Sequence, residues 1–181
     1  MVLNIAPDPE TESSKVDDLL CSDQDPANDP ALAFKKILRW VKVRDRSVKE
    51  TRTRLLRDGF GNSAVDAAIE KAIDYRFLDD ARFADTLIRS RLNQGKGLDG
   101  AVRELQRHGI SADTLLPGFP EEYLADRPSQ QDCAFALLCK KPPRAKNARQ
   151  AAYAKLVRAG YPMALSAEVA NRWFRTIEPK E

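Results

Sequence analysis

Histidine is almost missing from this 181-residue chain: His108 is the only one. The three cysteines, Cys21, Cys133 and Cys139, are odd in number and widely spread. A structural zinc needs four converging ligands, so no zinc site is expected. Scattered thiols suit a reducing compartment rather than a disulfide framework, and the expected location is cytoplasmic. Glycine is scarce, at 8 residues, and Val-Ile-Thr alternation is rare, which disfavours sheets. No apolar run reaches the roughly 18 residues of a membrane span. Met1 to Pro9 carries acids instead of a basic segment followed by an apolar core, so no secretion signal is expected. Neither a Gly-rich phosphate loop ending in Lys-Ser/Thr nor a Gly-x-Gly-x-x-Gly fingerprint is present. No cofactor is therefore expected. His108 precedes a glycine that ends a helix, where a His is a favourable C-terminal charge and not a general base. Asp79-Asp80 precedes a helix, which makes capping the better reading than a metal or acid–base pair. No catalytic set emerges, and the chain does not read as an enzyme.

What the chain does have is hydrophobic residues at 43% and charged residues at 31%, enough apolar content for a folded core. The net charge of +3 is unevenly placed. Residues 1–30 hold eight acids and one base, Lys15, so they sum to −7 and the remainder carries +10. That first segment is rich in Asp, Pro, Ser and Glu and is expected to be a disordered acidic tail, with at most a short turn at Val16 to Cys21. A basic body suggests an anionic partner; excess arginine that only keeps helices soluble would look the same.

Helix signals then follow in order. Asp29-Pro30 is a cap followed by a first-turn proline, and Phe34, Ile37, Leu38 and Val41 follow at helical spacing. Ser47-Val48-Lys49-Glu50 reads as a reciprocal capping box. The helix behind it points Leu55 and Leu56 inward and ends at Gly59. A third helix from about Ser63 buries Val65, Ala68, Ile69, Ala72 and Ile73. Asp79 or Asp80 caps the next helix, which buries Ala81, Phe83, Ala84, Leu87 and Ile88.

The plan recurs. Leu55-Leu56-Arg57-Asp58-Gly59-Phe60 matches Leu105-Gln106-Arg107-His108-Gly109-Ile110 and Leu156-Val157-Arg158-Ala159-Gly160-Tyr161. Gly59, Gly109 and Gly160 stand 50 and 51 residues apart, and Phe34, Phe83 and Phe135 keep step with them. This predicts an all-α fold: a tandem array of three three-helix repeats, elongated and curved. The expected layout is repeat 1 at 31–78, repeat 2 at 79–120, a linker at 121–131 and repeat 3 at 132–177. Pro117-Gly118-Phe119-Pro120 must shorten the last helix of repeat 2. Asn147 to Gln150 is a second box-like cap, and the last helix carries Leu165, Val169, Trp173, Phe174 and Ile177. Trp40, Trp173 and Cys133 read as packing residues.

The candidate binding residues are arginines: Arg46, Arg52, Arg57, Arg82, Arg89, Arg91, Arg103 and Arg107. Arg57, Arg107 and Arg158 recur in register at helix C-termini, where a cation favours the helix dipole without further function. The alternative is a row of bidentate donors for the phosphates or carboxylates of a long, regular partner. Composition does not choose between them.

Arg46-Ser47-x-x-Glu50-x-Arg52-x-x-Leu55, Gly59-Phe60, Leu78-Asp79-Asp80-x-Arg82-Phe83-Ala84, Arg103-Glu104-Leu105 and Gly109-Ile110 form a linked set of motifs. Together they resemble the bacterial RecX family, regulators of the RecA recombinase. Thr51, Arg76 and Leu98 stand where that family prefers Leu, Gly and Pro. The resemblance implies a non-enzymatic array of three-helix repeats that binds the RecA filament on DNA along its groove. There it would restrain ATP hydrolysis, strand exchange and coprotease activity, and so act in DNA repair, recombination and the SOS response. Direct DNA contact and a monomeric state are further expectations. The competing reading is a helical protein that acts directly on nucleic acid.

Overall fold

The computed structural model describes residues 26–177. The segment expected as an acidic tail lies outside them apart from its last few residues, as does the short turn expected at Val16 to Cys21. Ten α-helices and no strand occur among the described residues: α1 (Pro30–Val41), α2 (Val48–Arg57), α3 (Asn62–Asp74), α4 (Asp80–Asn93), α5 (Leu98–Arg107), α6 (Ala112–Leu115), α7 (Glu121–Leu124), α8 (Gln130–Lys140), α9 (Ala148–Ala159) and α10 (Met163–Ile177). They form an all-helical repeat fold. Its apolar residues gather into separate cores that follow one another along the chain.

The first core joins Ile37 and Trp40 of α1, Leu55 of α2, Val65 and Ile69 of α3 and the following Leu78. Asp29 caps α1 by accepting from the Ala31 and Leu32 amides. Leu56 and Ile73, expected inward, are 40% and 45% exposed. Each adjoins a residue that already fills the core: Leu55 is fully buried, and Ala72 turns inward beside Ile73. Thr51 is fully buried, and its hydroxyl donates to the Ser47 carbonyl at 2.9 Å, so a polar atom sits in the core without an unmet bond. Arg76 has a φ of 56°, the left-handed conformation that glycine adopts most readily.

The second core holds Phe83, Ala84, Ile88 and Leu92 of α4, Ala101 and Leu105 of α5, and Ile110, Leu116 and Tyr123. As expected, the prolines leave the last helix, α6, at four residues. Residues 121–131, expected as a linker, contain α7, and Tyr123 turns back into this core. So short a helix as α6 leaves apolar surface uncovered, and Phe119 and Tyr123 fill the space, their rings edge-on at 5.7 Å. The third core contains Ala134, Leu138, Leu156, Tyr161, Val169 and Trp173, with Cys133, Leu165 and Phe174 packed against it. Ile177, at the end of α10, is 48% exposed. Helix α8 starts at Gln130 under a Ser129 cap, two residues before the expected repeat start.

The joints between successive cores repeat as well. The first amide of α2, Val48 N–H, donates to Asp80 Oδ1 at 2.9 Å. The first amide of α5, Leu98 N–H, donates to Gln130 Oε1 at 3.2 Å. Both bonds span 32 residues. Each runs from the second helix of one unit to the first residue of the next. A proline at position 98 would lack the N–H that makes this bond.

The second joint is backbone against backbone. The amides of Gly97 and Gly100 donate to the Ala159 and Gly160 carbonyls, each at 3.0 Å, and Tyr161 Oη donates to the Gly95 carbonyl at 2.8 Å. Burial pushes the Tyr161 hydroxyl up to about 12. The first joint uses side chains instead. Ser47 Oγ bonds His108 Nδ1 at 3.1 Å, and Lys49 Nζ donates to the Arg107 carbonyl at 3.1 Å.

Burial raises the Asp80 carboxyl pKa, although the Val48 amide and His108 oppose it. The ionised form is therefore penalised in the fold. The neutral carboxyl's contribution is fully present below the unfolded pKa and is lost as pH rises through the folded one. The Gln130 amide does the same task uncharged. Asp80→Asn is thus expected to stay within about 1 kcal/mol of the parent at neutral pH, whereas Asp80→Ala strands the Val48 amide and loses about 1–3 kcal/mol. Urea unfolding of both variants at pH 5 and pH 7 measures this, and equal losses would refute the shared role of the two side chains.

Candidate partner-binding surface

Arginines at the eight candidate positions do not form one uniform row. Arg46 is only 9% exposed. It pairs with Glu50 and lies beside the Trp40 ring. Burial and the neighbouring Arg44 lower its pKa while Glu50 opposes them. Its guanidinium is turned into the chain and is not free for a partner, although the buried Nε makes no hydrogen bond. Glu50 also takes Arg44. The expected reciprocal box is thus only half formed: Ser47 Oγ accepts the Glu50 amide at 3.1 Å, but the Glu50 carboxylate faces two arginines.

Arg91 makes a two-pronged bond with Glu104, Nε to Oε2 at 2.7 Å. That contact raises the arginine and lowers the carboxylate, and it ties α4 to α5. Arg89 pairs with Asp85 at 2.8 Å and lies over the Tyr123 ring. Tyr123 Oη donates to Asp85 at 2.6 Å. Burial, then Asp85, pushes this hydroxyl up to about 12. Burial opposes ionisation of Asp85, but Tyr123 and Arg89 together hold its pKa down. Arg82 bonds the Arg76 carbonyl and faces Asp45 at 3.5 Å. Arg52 pairs with Asp66.

Arg57, Arg103 and Arg107 differ. All three are exposed, and none pairs with a carboxylate among the described residues. Arg57 and Arg107 line one groove of about 350 Å³ with Lys49, Thr53, Arg54 and His108. Two arginines fifty residues apart in sequence meet because the C-terminus of α5 docks on the exposed side of α2. Arg103 lies elsewhere, beside Phe119 and Asp113. Arg158, the third in register, is exposed and folds back on the Ala154 carbonyl. Sequence reasoning missed Lys49 and Arg54 as members of this groove. Their i, i+4/i+5, i+8 spacing with Thr53 and Arg57 along α2 was a signal available for finding them.

His108 has a structural setting: its imidazole bonds Ser47 and meets Phe83 edge-on at 5.0 Å. Asp79 caps α4 through the Arg82 amide at 3.0 Å, while Asp80 serves the preceding unit. Among the described residues no group of His, Cys, Asp and Glu is placed to hold a metal. None of their helices is long and apolar enough to cross a membrane.

Residues 33–71 match the family model for the first three-helix domain of RecX, and residues 79–115 match that for the second. A relative from Prosthecochloris aestuarii, named regulatory protein RecX, is 30% identical over 116 residues, which cover 64% of this chain and 74% of the relative. The chain belongs to the RecX family. Regulatory protein RecX of Bacillus velezensis is 29% identical over 138 residues, 75% of this chain. That match spans only 52% of the Bacillus protein, so the chain spans about half the length of the relatives it first matches. The fold agrees with solved RecX structures. A crystal structure of regulatory protein RecX superposes with a TM-score of 0.60 at 18% identity, covering 92% of this chain and 81% of that one. RecX from Lactobacillus salivarius gives 0.61 at 17% identity, covering 81% and 97%.

Proposed function

We propose that this RecX-family chain is a regulator that binds the RecA filament on DNA and restrains its ATPase, strand-exchange and coprotease activities, acting in the cytoplasm in DNA repair, recombination and the SOS response. Membership of a family whose relatives are named regulatory proteins carries this reading. Successive helical units with their own cores support it, because equal spacing offers periodic weak contacts to a periodic polymer, and linked weak contacts bind with avidity. Exposed, unpaired Arg57, Arg103 and Arg107 are its best contact residues. Arg52, Arg82 and Arg89 contribute from the rim, while Arg46 and Arg91 hold the scaffold. Three covalently linked units make a monomer the simplest functional form.

Co-sedimentation with RecA filaments on single-stranded DNA, held by a non-hydrolysable ATP analogue, tests the proposal. Enrichment over bare DNA and over free RecA is expected, together with a slowed RecA ATPase. Equal pelleting with bare DNA, in a salt-sensitive manner, would favour the direct nucleic-acid reading that the +10 body motivates.

A further inference from the structure

We infer that the groove between α2 and the end of α5 is a binding site for phosphate groups that bridges the first two helical units. It shares Arg57 and Arg107 with the proposed partner surface and deepens that reading by naming the chemistry of the site. Lys49, Arg54 and Arg57 come from one wall and Arg107 from the other, with Thr53, Glu50 and His108 completing the lining. Four cations thus face one acid, and that acid is already engaged by Arg44 and Arg46. Lys49 Nζ is held at the Arg107 carbonyl, and the Arg54 guanidinium is fixed 4.4 Å above the Trp40 ring. Two of the cations are therefore pre-positioned, and Arg57 and Arg107 are left with unspent donors.

Like charges gathered in excess of the nearby carboxylates repel one another, and a bound anion relieves this. The donors come from two different helices. A carboxylate satisfies one arginine fork from one direction. A phosphate presents several oxygens around a tetrahedral centre and can accept from both walls together. The isolated alternative, in which each arginine merely favours its own helix dipole, treats Arg57 and Arg107 separately and does not account for the one groove that they line together with Lys49 and Arg54. Phosphate groups reach such a site from a nucleic-acid backbone or from a free phosphate compound.

The test uses the full chain without RecA and takes inorganic pyrophosphate as the probe. Calorimetric titration and thermal unfolding are expected to show saturable binding and a raised midpoint. Arg57→Gln/Arg107→Gln should bind at least tenfold more weakly, while Arg158→Gln/Arg175→Gln, with the same charge change on the third unit, should bind as the parent does. Unchanged unfolding midpoints without pyrophosphate establish that the variants fold, and Lys49→Gln provides a further variant of the groove. No saturable binding by the parent, or equal losses in both double variants, would overturn the site. Displacement of pyrophosphate by a thymidine oligonucleotide identifies the backbone as the source, and no displacement identifies a free phosphate. Pyrophosphate binding that persists in a protein with no effect on RecA would separate failure of the regulatory reading from failure of the site.

Discussion

Phe83→Ala is expected to lower stability by about 3–5 kcal/mol, the usual loss for a buried phenylalanine. The side chain is 7% exposed at the centre of the second core. That core has least to spare, because α6 is one turn long and Phe119 and Tyr123 stand in for a third helix. The ring also supports the His108 imidazole, which reaches across to Ser47. Removing it therefore weakens the joint to the first unit as well as the core. Urea unfolding with the slope held free is the measurement. A loss under about 1 kcal/mol would show that the second unit closes over Phe83 in some other way.

Replacing Gly100 by valine should disrupt the second joint. A Cβ at this position would lie 2.7 Å from Gly160 Cα, and backbone cannot swing aside as a flexible side chain can. Gly160 in turn has a φ of 95°, so its own path is the left-handed one that suits glycine. Pushing α5 and α9 apart would cost about 1–3 kcal/mol by overpacking. It would also stretch the bonds from the Gly97 and Gly100 amides, each worth about 1 kcal/mol. Alanine should do the same to a lesser degree. Amide exchange at residues 97 and 100 is expected to speed up, with the first unit unaffected. Unchanged protection at these amides would refute the close crossing.

The two joints also differ in kind. Glycines let α5 and α9 meet through their backbones, whereas the first joint relies on Ser47, Lys49, Asp80 and His108. Side-chain contacts at a partly exposed surface open more readily than paired backbone groups, because water competes for the same donors and acceptors. The phosphate-binding groove lies at this side-chain joint.

Much of this protein was legible in order of residues alone. Local rules suffice for helix ends: Asp29, Ser47, Asp79 and Asn147 accept the amides that their positions predict, since a capping residue and its target lie within three residues. The fifty-residue repeat marks like units because each must bury an equivalent apolar stripe, and the linked motifs place the chain with RecX. Which arginines are available was decided by tertiary structure. Arg46 and Arg57 look alike in sequence, yet one is buried against Glu50 and Trp40 and the other stands free in the groove. That difference depends on where carboxylates and rings from other elements come to lie. Tyr123 likewise leaves a polar segment to complete a core, because the uncovered surface it fills exists only once α4, α5 and α6 have packed.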